Sequence, residues 1–104
     1  MFETKIFSAL GDPIRLEIVK RLSYGKPQTI TSVSSNLDIT RQGARKHLKV
    51  LEDAKLVLLI PHGRDTEVIL QRKTLEKGKT FIQKLEKQWD IRLEALKGFV
   101  ENDI

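Results

Sequence analysis

Apolar residues fall into short stretches of distinct period, and each change of period marks an element. Phe2, Ile6 and Leu10 recur at i, i+4 and i+8 with Phe7 beside them, the stripe of a short helix over residues 2–10. Gly11 stops it, and Asp12-Pro13 starts the next. An Asp accepts from the free N–H groups of a first turn, and a Pro there gives up an N–H that has no partner. In the helix over residues 14–23, Ile14, Leu16, Ile18, Val19 and Leu22 cover a broad arc, which predicts a central place in the core. Arg15 falls inside that arc. Either it finds a carboxylate, the carbonyls of a helix end or another subunit, or it carries its charge to solvent along its own stem. Tyr24-Gly25-Lys26-Pro27 reads as a helix exit, and Pro27-Gln28 as a short extended piece. Thr29 can cap a third, short helix carrying Ile30, Val33 and Leu37, and Asp38-Ile39 makes a tight turn into Thr40.

Residues 40–57 (TRQGARKHLKVLEDAKLV) separate most cleanly. At about 100° per residue, Gly43, Ala44, His47, Leu48, Val50, Leu51 and Ala54 share one side of a helix, and Arg41, Gln42, Arg45, Lys46 and Lys49 share the other. Thr40 stands at the N-cap, and the small residues at 43 and 44 allow close approach to a neighbouring element. Residues 56–60 (LVLLI) have strand length, Pro61 to Asp65 is a turn cluster, and residues 66–71 (TEVILQ) read as a return strand. From Thr74 a single long helix runs to the end, with Leu75, Phe81, Ile82, Leu85, Trp89, Leu93, Leu96, Phe99 and Val100 in a stripe roughly 120° wide. At 1.5 Å per residue, its last 26 or so residues reach about 39 Å, beyond the span of a small domain. The distal stripe therefore calls for another chain, a symmetric dimer being the commonest solution, or for folding back onto the first helix.

A short helix, a three-residue turn and a basic helix make a helix-turn-helix, and a hairpin after the second helix makes a wing. The expected fold is mainly α with a small hairpin: one winged helix-turn-helix domain over residues 1–104, with residues 1–10 and 75–104 supplying a dimer interface. Phe2, Ile6, Phe7, Leu10, Leu85, Trp89, Leu93, Leu96, Phe99 and Val100 are its expected contacts.

Charge sharpens the picture. The chain of 104 residues carries a formal net charge of +5 and has no cysteine. Residues 41–49 hold four cations and no anion, whereas residues 75–104 hold six of each sign. A localised excess on one helix face favours an anionic partner, nucleic acid before membrane. The plainer reading is a solvated basic face. The absence of cysteine excludes disulfides, thiol switching and thiolate metal sites. No run approaches the ~18 apolar residues of a membrane span and no signal peptide is evident, so a cytoplasmic, nucleoid-associated protein is expected.

Two segments carry a family resemblance. Ala9-Leu10-Gly11-Asp12-Pro13-Ile14-Arg15-Leu16, followed by Ile18, resembles the "ALGDPxR" opening of ArsR-type winged-helix repressors. Thr40 to Val57, with His47-Leu48-Lys49-Val50-Leu51 and then Lys55-Leu56-Val57, resembles their recognition helix and its exit, and Gly63-Arg64 sits where their wing turns. The pattern spans residues 6–101. The resemblance implies a bacterial or archaeal transcription factor, usually a homodimeric repressor joined through its first and last helices. It does not bring metal sensing with it. Where metal-sensing members have a Cys-x-Cys-type motif, this chain reads Val33-Ser34-Ser35-Asn36-Leu37, and its last helix has no His for the ligand sets other members place there. Asp38 stands at a turn position often taken by Gly, and Asp tolerates positive φ.

Arg pairs with guanine O6 and N7, and Gln with adenine N6 and N7, so Arg41, Gln42 and Arg45 are the candidates for base contact. Lys46 and Lys49 are candidates for phosphate, with the Thr40 hydroxyl beside them; His62 and Arg64, on the wing tip, are candidates for phosphate or the minor groove. His47 lies mid-arc and reads as a packed histidine with one satisfied nitrogen, not as a ligand. Two histidines on different elements do not make a zinc or nickel site, and Glu94, Glu101 and Asp103 read as solvated helix surface. Ser34 and Ser35 have no histidine at a readable spacing and no phosphate-binding glycine loop is present, so neither an enzyme nor a cofactor is expected.

The sequence points to a duplex-DNA-binding regulator, with helix 40–54 in the major groove and wing 56–71 on the flanking backbone or minor groove. A winged-helix module that binds protein, and a non-specific architectural DNA protein, are the alternatives. Control by a small organic ligand, by a protein partner or by abundance alone stays open.

Overall fold

The computed structural model describes residues 2–102. In chain order it contains α1 (Phe2–Leu10), α2 (Pro13–Ser23), β1 (Gln28–Thr29), α3 (Ile30–Asn36), α4 (Arg41–Asp53), β2 (Val57–His62), β3 (Asp65–Leu70) and α5 (Arg72–Asn102). Local chemistry fixes most of the helix starts. Asp12 accepts from the amides of Ile14 and Arg15 at 2.8 and 3.1 Å, ahead of Pro13. Thr29 and Ser32 form a reciprocal capping box at α3, and the Thr40 hydroxyl accepts from the Gly43 amide at 2.9 Å.

The helix ends follow one pattern twice. After α3, the Asp38 and Ile39 amides donate to Ser35 and Ser34 carbonyls, with Asp38 at φ +51. After α4, the Lys55 and Leu56 amides donate to Glu52 and Leu51 carbonyls, with Lys55 at φ +61. Both are left-handed closures of the kind glycine usually makes. Asp38 therefore keeps the turn of the helix-turn-helix intact.

The core is built from Ile6 and Ala9 of α1, Ile18, Val19 and Leu22 of α2, Ile30 and Val33 of α3, Ala44, Leu48 and Leu51 of α4, then Ala54, Leu56, Val57 and Val68. Two residues of the expected apolar arcs lie outside it. Leu16 on α2 and Val50 on α4 are both exposed, because each sits at the margin of a stripe narrower than the sequence suggests.

Arg15 takes a partner, not solvent. Its Nε donates to the Ala9 carbonyl at 2.8 Å and its Nη2 to the Ser8 carbonyl at 3.3 Å, both at the C-terminal end of α1. Its Nη1 stands 3.4 Å from His47 Nδ1 and 4.0 Å from Asp12 Oδ2. One guanidinium thus joins the end of α1, the cap of α2 and the middle of α4.

The sheet is larger than a hairpin. β2 and β3 pair antiparallel from Val57↔Leu70 to His62↔Asp65, and β1 adds a third strand through Gln28↔Val68 and Thr29↔Glu67. The order is β1-β3-β2, so Pro61 stands on an edge strand, where its missing N–H is tolerated. The strands extend further toward the tip than expected and leave only Gly63-Arg64 as the turn. α5 starts at Arg72, two residues before Thr74, whose buried hydroxyl donates to the Lys55 carbonyl.

Replacing Arg15 with Ala removes the side-chain donor from the Ala9 carbonyl and from the His47 nitrogen, while the Ser8 carbonyl keeps the Gly11 amide. The variant is expected to lose about 1.5–3 kcal/mol of unfolding free energy in urea titration. A loss below about 0.5 kcal/mol would mean that Arg15 is surface decoration.

Candidate nucleic-acid interface

The face built by α4 begins with its burial. Ala44, Leu48 and Leu51 are 0% exposed, so one side of the helix is wholly taken up by the core. On the other side Arg41, Gln42, Arg45 and Lys46 are exposed together, with Lys49 one turn further on. The expected role of Gly43 changes. A Cβ there would meet the Thr40 hydroxyl oxygen at 3.1 Å, so its smallness serves the cap; Ala44 provides the close approach to the core. Because the Thr40 oxygen already accepts from Gly43, its own hydroxyl proton remains to donate.

The cations are not equivalent. Arg41 Nη2 lies 3.9 Å from Asp65 Oδ1 on β3. Arg45 and Lys49 flank the groove between α4 and the sheet, with Ile30, Leu59, Pro61 and Thr66. Lys49 is held by acids on its own helix, Asp53 at 3.3 Å and Glu52 at 3.4 Å, and these carboxylates, Asp53 first, raise its pKa. Lys46 has no such neighbour among the described ion pairs.

His62 ends β2 and Arg64 follows Gly63, which has φ +64; both side chains are exposed at the tip. The outer face of the sheet carries exposed Leu58, Ile60 and Ile69, which alternate with inward Val57, Leu59 and Val68. His47 packs as expected of a core-facing histidine. A guanidinium only donates, so the His47 Nδ1 is the acceptor facing Arg15 Nη1 at 3.4 Å, with Asp12 Oδ1 3.9 Å away.

Asp65 is the group that reading the sequence missed. It looked like one more turn residue, yet it accepts from the Thr66 amide at 2.8 Å and the Thr31 amide at 3.4 Å. Donors from Thr31, the hydroxyl foremost, and then the Thr66 amide hold its carboxyl down at about 2.

The residues expected at a dimer interface divide in two. Ile6 is 1% exposed and packs within its own chain. Phe2, Phe7 and Leu10 are half-buried against α5, where Phe7 meets Phe81 at 5.9 Å between ring centroids and Lys77 sits 4.6 Å above Phe2. Leu85, Trp89, Leu93, Leu96, Phe99 and Val100 are exposed along the distal part of α5. Glu94 and Glu101 are exposed on the same helix, and Asp103 lies outside the described residues.

A family model for a helix-turn-helix domain matches residues 10–60, from the end of α1 into β2. The uncharacterized HTH-type transcriptional regulator YuzN of Bacillus subtilis is 38% identical over 77 residues, 68% of this chain and 84% of that protein. An ArsR-like transcriptional regulator from Rhodococcus sp. RHA1 has the same fold with a TM-score of 0.83 at 30% identity, covering 94% of this chain and 92% of that one. The chain belongs to the ArsR-type winged helix-turn-helix regulators. A homodimeric winged helix-turn-helix DNA-binding domain from Mycobacterium bovis shares the fold at 15% identity, with a TM-score of 0.64 over 82% of this chain and 78% of that one. Membership makes this a DNA-binding transcriptional regulator, with α3 and α4 as its helix-turn-helix. No helix among the described residues is long and apolar enough to cross a membrane.

The wing base of this ArsR-type regulator should leave a mark on acid stability. Asp65 takes its proton near 3.8 when unfolded and at about 2 when folded. Between those values the unfolded chain binds more protons, so the stabilisation is complete above pH ~4 and is lost as pH falls toward ~2. The thermal midpoint of Asp65→Asn should fall less steeply across that window than that of the parent, with Asp12, also lowered by its capping amides, keeping part of the slope. Parallel curves for the two proteins would contradict the assignment.

Proposed function

We propose that this chain is a single-domain, homodimeric repressor that binds a pseudo-palindromic operator and occludes a promoter. The observation that carries the reading is the division of α4: an inner face closed by the core and an outer N-terminal face of exposed Arg41, Gln42, Arg45 and Lys46. A helix gripped in this way presents its first turns rigidly, the geometry that places side chains on base edges in a major groove. Arg41, Gln42 and Arg45 take the base edges; Lys46 and the Thr40 hydroxyl take phosphate. Lys49 contributes less, because two carboxylates already hold it. His62 and Arg64 bring the wing tip to the flanking backbone or minor groove.

The second copy covers the distal stripe of α5. The chain extends 71 Å along its long axis against 25 and 23 Å across, and the far part of α5 carries large apolar side chains that its own domain does not reach. The Mycobacterium bovis relative in fold is a homodimer. Two recognition helices related by a two-fold axis enter successive major grooves about 34–36 Å apart. Leu93→Glu, placed in the exposed stripe, is expected to halve the mass found by sedimentation; an unchanged mass would remove this interface.

Operator binding is tested with a fragment of the gene's own upstream region against random DNA of equal length, at two salt concentrations. Tighter binding to the upstream fragment, weakened steeply by salt, is the expected result. Arg45→Ala should cost about 1–3 kcal/mol on that fragment and much less on random DNA. A flat salt response would favour the protein-binding alternative, and equal affinity for both DNAs the architectural one.

A further inference from the structure

We propose that Asp65 is a positioning residue for sequence discrimination: it holds the Arg41 guanidinium so that Arg41 reads a base edge and does not settle on phosphate. The inference rests on the reading of Arg41 as a base contact and names what makes that contact selective.

Asp65 is the first residue of β3, and its carboxylate stands where three elements meet. The Thr66 amide anchors it to the wing and the Thr31 amide to the first turn of α3, while Arg41 Nη2 approaches from the first turn of α4 at 3.9 Å. With two backbone anchors the carboxylate is fixed and the longer, half-exposed Arg side chain adapts to it. At 3.9 Å the carboxylate attracts the guanidinium without a hydrogen bond, which draws Arg41 toward the wing base and leaves its donors for a ligand.

The charge also selects. A phosphate drawn to Arg41 must approach a carboxylate of its own sign, whereas guanine O6 and N7 carry no net charge and meet no such repulsion. A like charge set against the wrong partner is how specificity is built from repulsion as well as attraction. Asp65 thus lowers binding to DNA in general and preserves it for sequences that offer Arg41 the right edge. The acids beside Lys49 differ, because they lie on its own helix and tie α4 to nothing else.

The test uses the full chain, a duplex selected by the parent protein from a random-sequence pool, and the unselected pool. Asp65→Asn keeps an oxygen that can accept from Thr66, and its thermal midpoint at neutral pH checks folding. The expected result is a fall of about tenfold in the selected-over-unselected affinity ratio. Affinity for the unselected pool should rise by roughly threefold, with a log–log salt slope steeper by about one as Arg41 turns to phosphate. Arg41→Ala should lower the ratio by itself, and Asp65→Asn added to it should change the ratio no further.

An unchanged ratio in Asp65→Asn overturns the proposal while Arg41→Ala still lowers it. An equal fall in the Arg41→Ala background overturns it too, since Asp65 would then act through the fold alone. If Arg41→Ala leaves the ratio untouched, the base-contact reading fails and this inference fails with it.

Discussion

A recognition helix has to be held along one side while nothing of its own chain covers the other. In this protein the grip is the complete burial of Ala44, Leu48 and Leu51 against α1, α2, α3 and the sheet. The apolar contacts fix the depth of α4 but constrain sliding and rotation less, because dispersion and burial are non-directional. Direction comes from Arg15, whose guanidinium binds two carbonyls at the end of α1 and reaches His47 in the middle of α4. A guanidinium on the ends of two helices is costly to bury alone and specific once satisfied. The ordering of the exposed cations follows from these two contacts.

What could be read from the sequence was whatever depends on near neighbours. The caps at Asp12, Thr29 and Thr40 act across two or three residues, and the composition of each site announces them. The outer face of α4 was legible for the same reason, since a single period sorts it. The extended piece at Gln28 is legible, but its place in the sheet is not, because the pairing Gln28↔Val68 joins residues forty apart and two residues carry no alternation. Arg15 was seen to need a partner, but the partner lies on a helix whose end the pattern of α2 does not encode. Asp65 failed for the converse reason: Asp is so common in turns that its reach to Thr31 and Arg41 leaves no local trace. Lys49 reads as a phosphate candidate equal to Lys46, because the acids that hold it stand three and four residues later, beyond residues 41–49.

The long helix shows the same contrast between local and distant constraint. Its apolar stripe is continuous in sequence, yet the structure divides it. Near its start, α5 lies against α1, with buried Gly78 facing Ile6 and Phe7 and Phe81 meeting Phe7. Beyond Ile82 the stripe residues Leu85, Trp89, Leu93, Leu96, Phe99 and Val100 are all exposed. Periodicity reports only which side of a helix is apolar; whether that side is covered by the same chain or another depends on where the domain ends. The neutral charge balance of residues 75–104 suits apolar association, because no excess of one sign opposes bringing two copies of the helix together.

The placement of charge then separates two tasks on one small domain. The basic residues of α4 supply attraction for any polyanion, an attraction that is indifferent to sequence. Were that all, a stronger basic face would bind tighter everywhere and discriminate no better. Acids bound this face on two sides instead, Glu52 and Asp53 toward the end of α4 and Asp65 at the wing base. Neither set pairs with Gln42 or Arg45, which stand exposed in the first two turns of the helix. The cationic surface left without an acidic neighbour is therefore narrowed to the N-terminal half of α4, and a basic face bounded in this way trades general attraction for a defined place of contact.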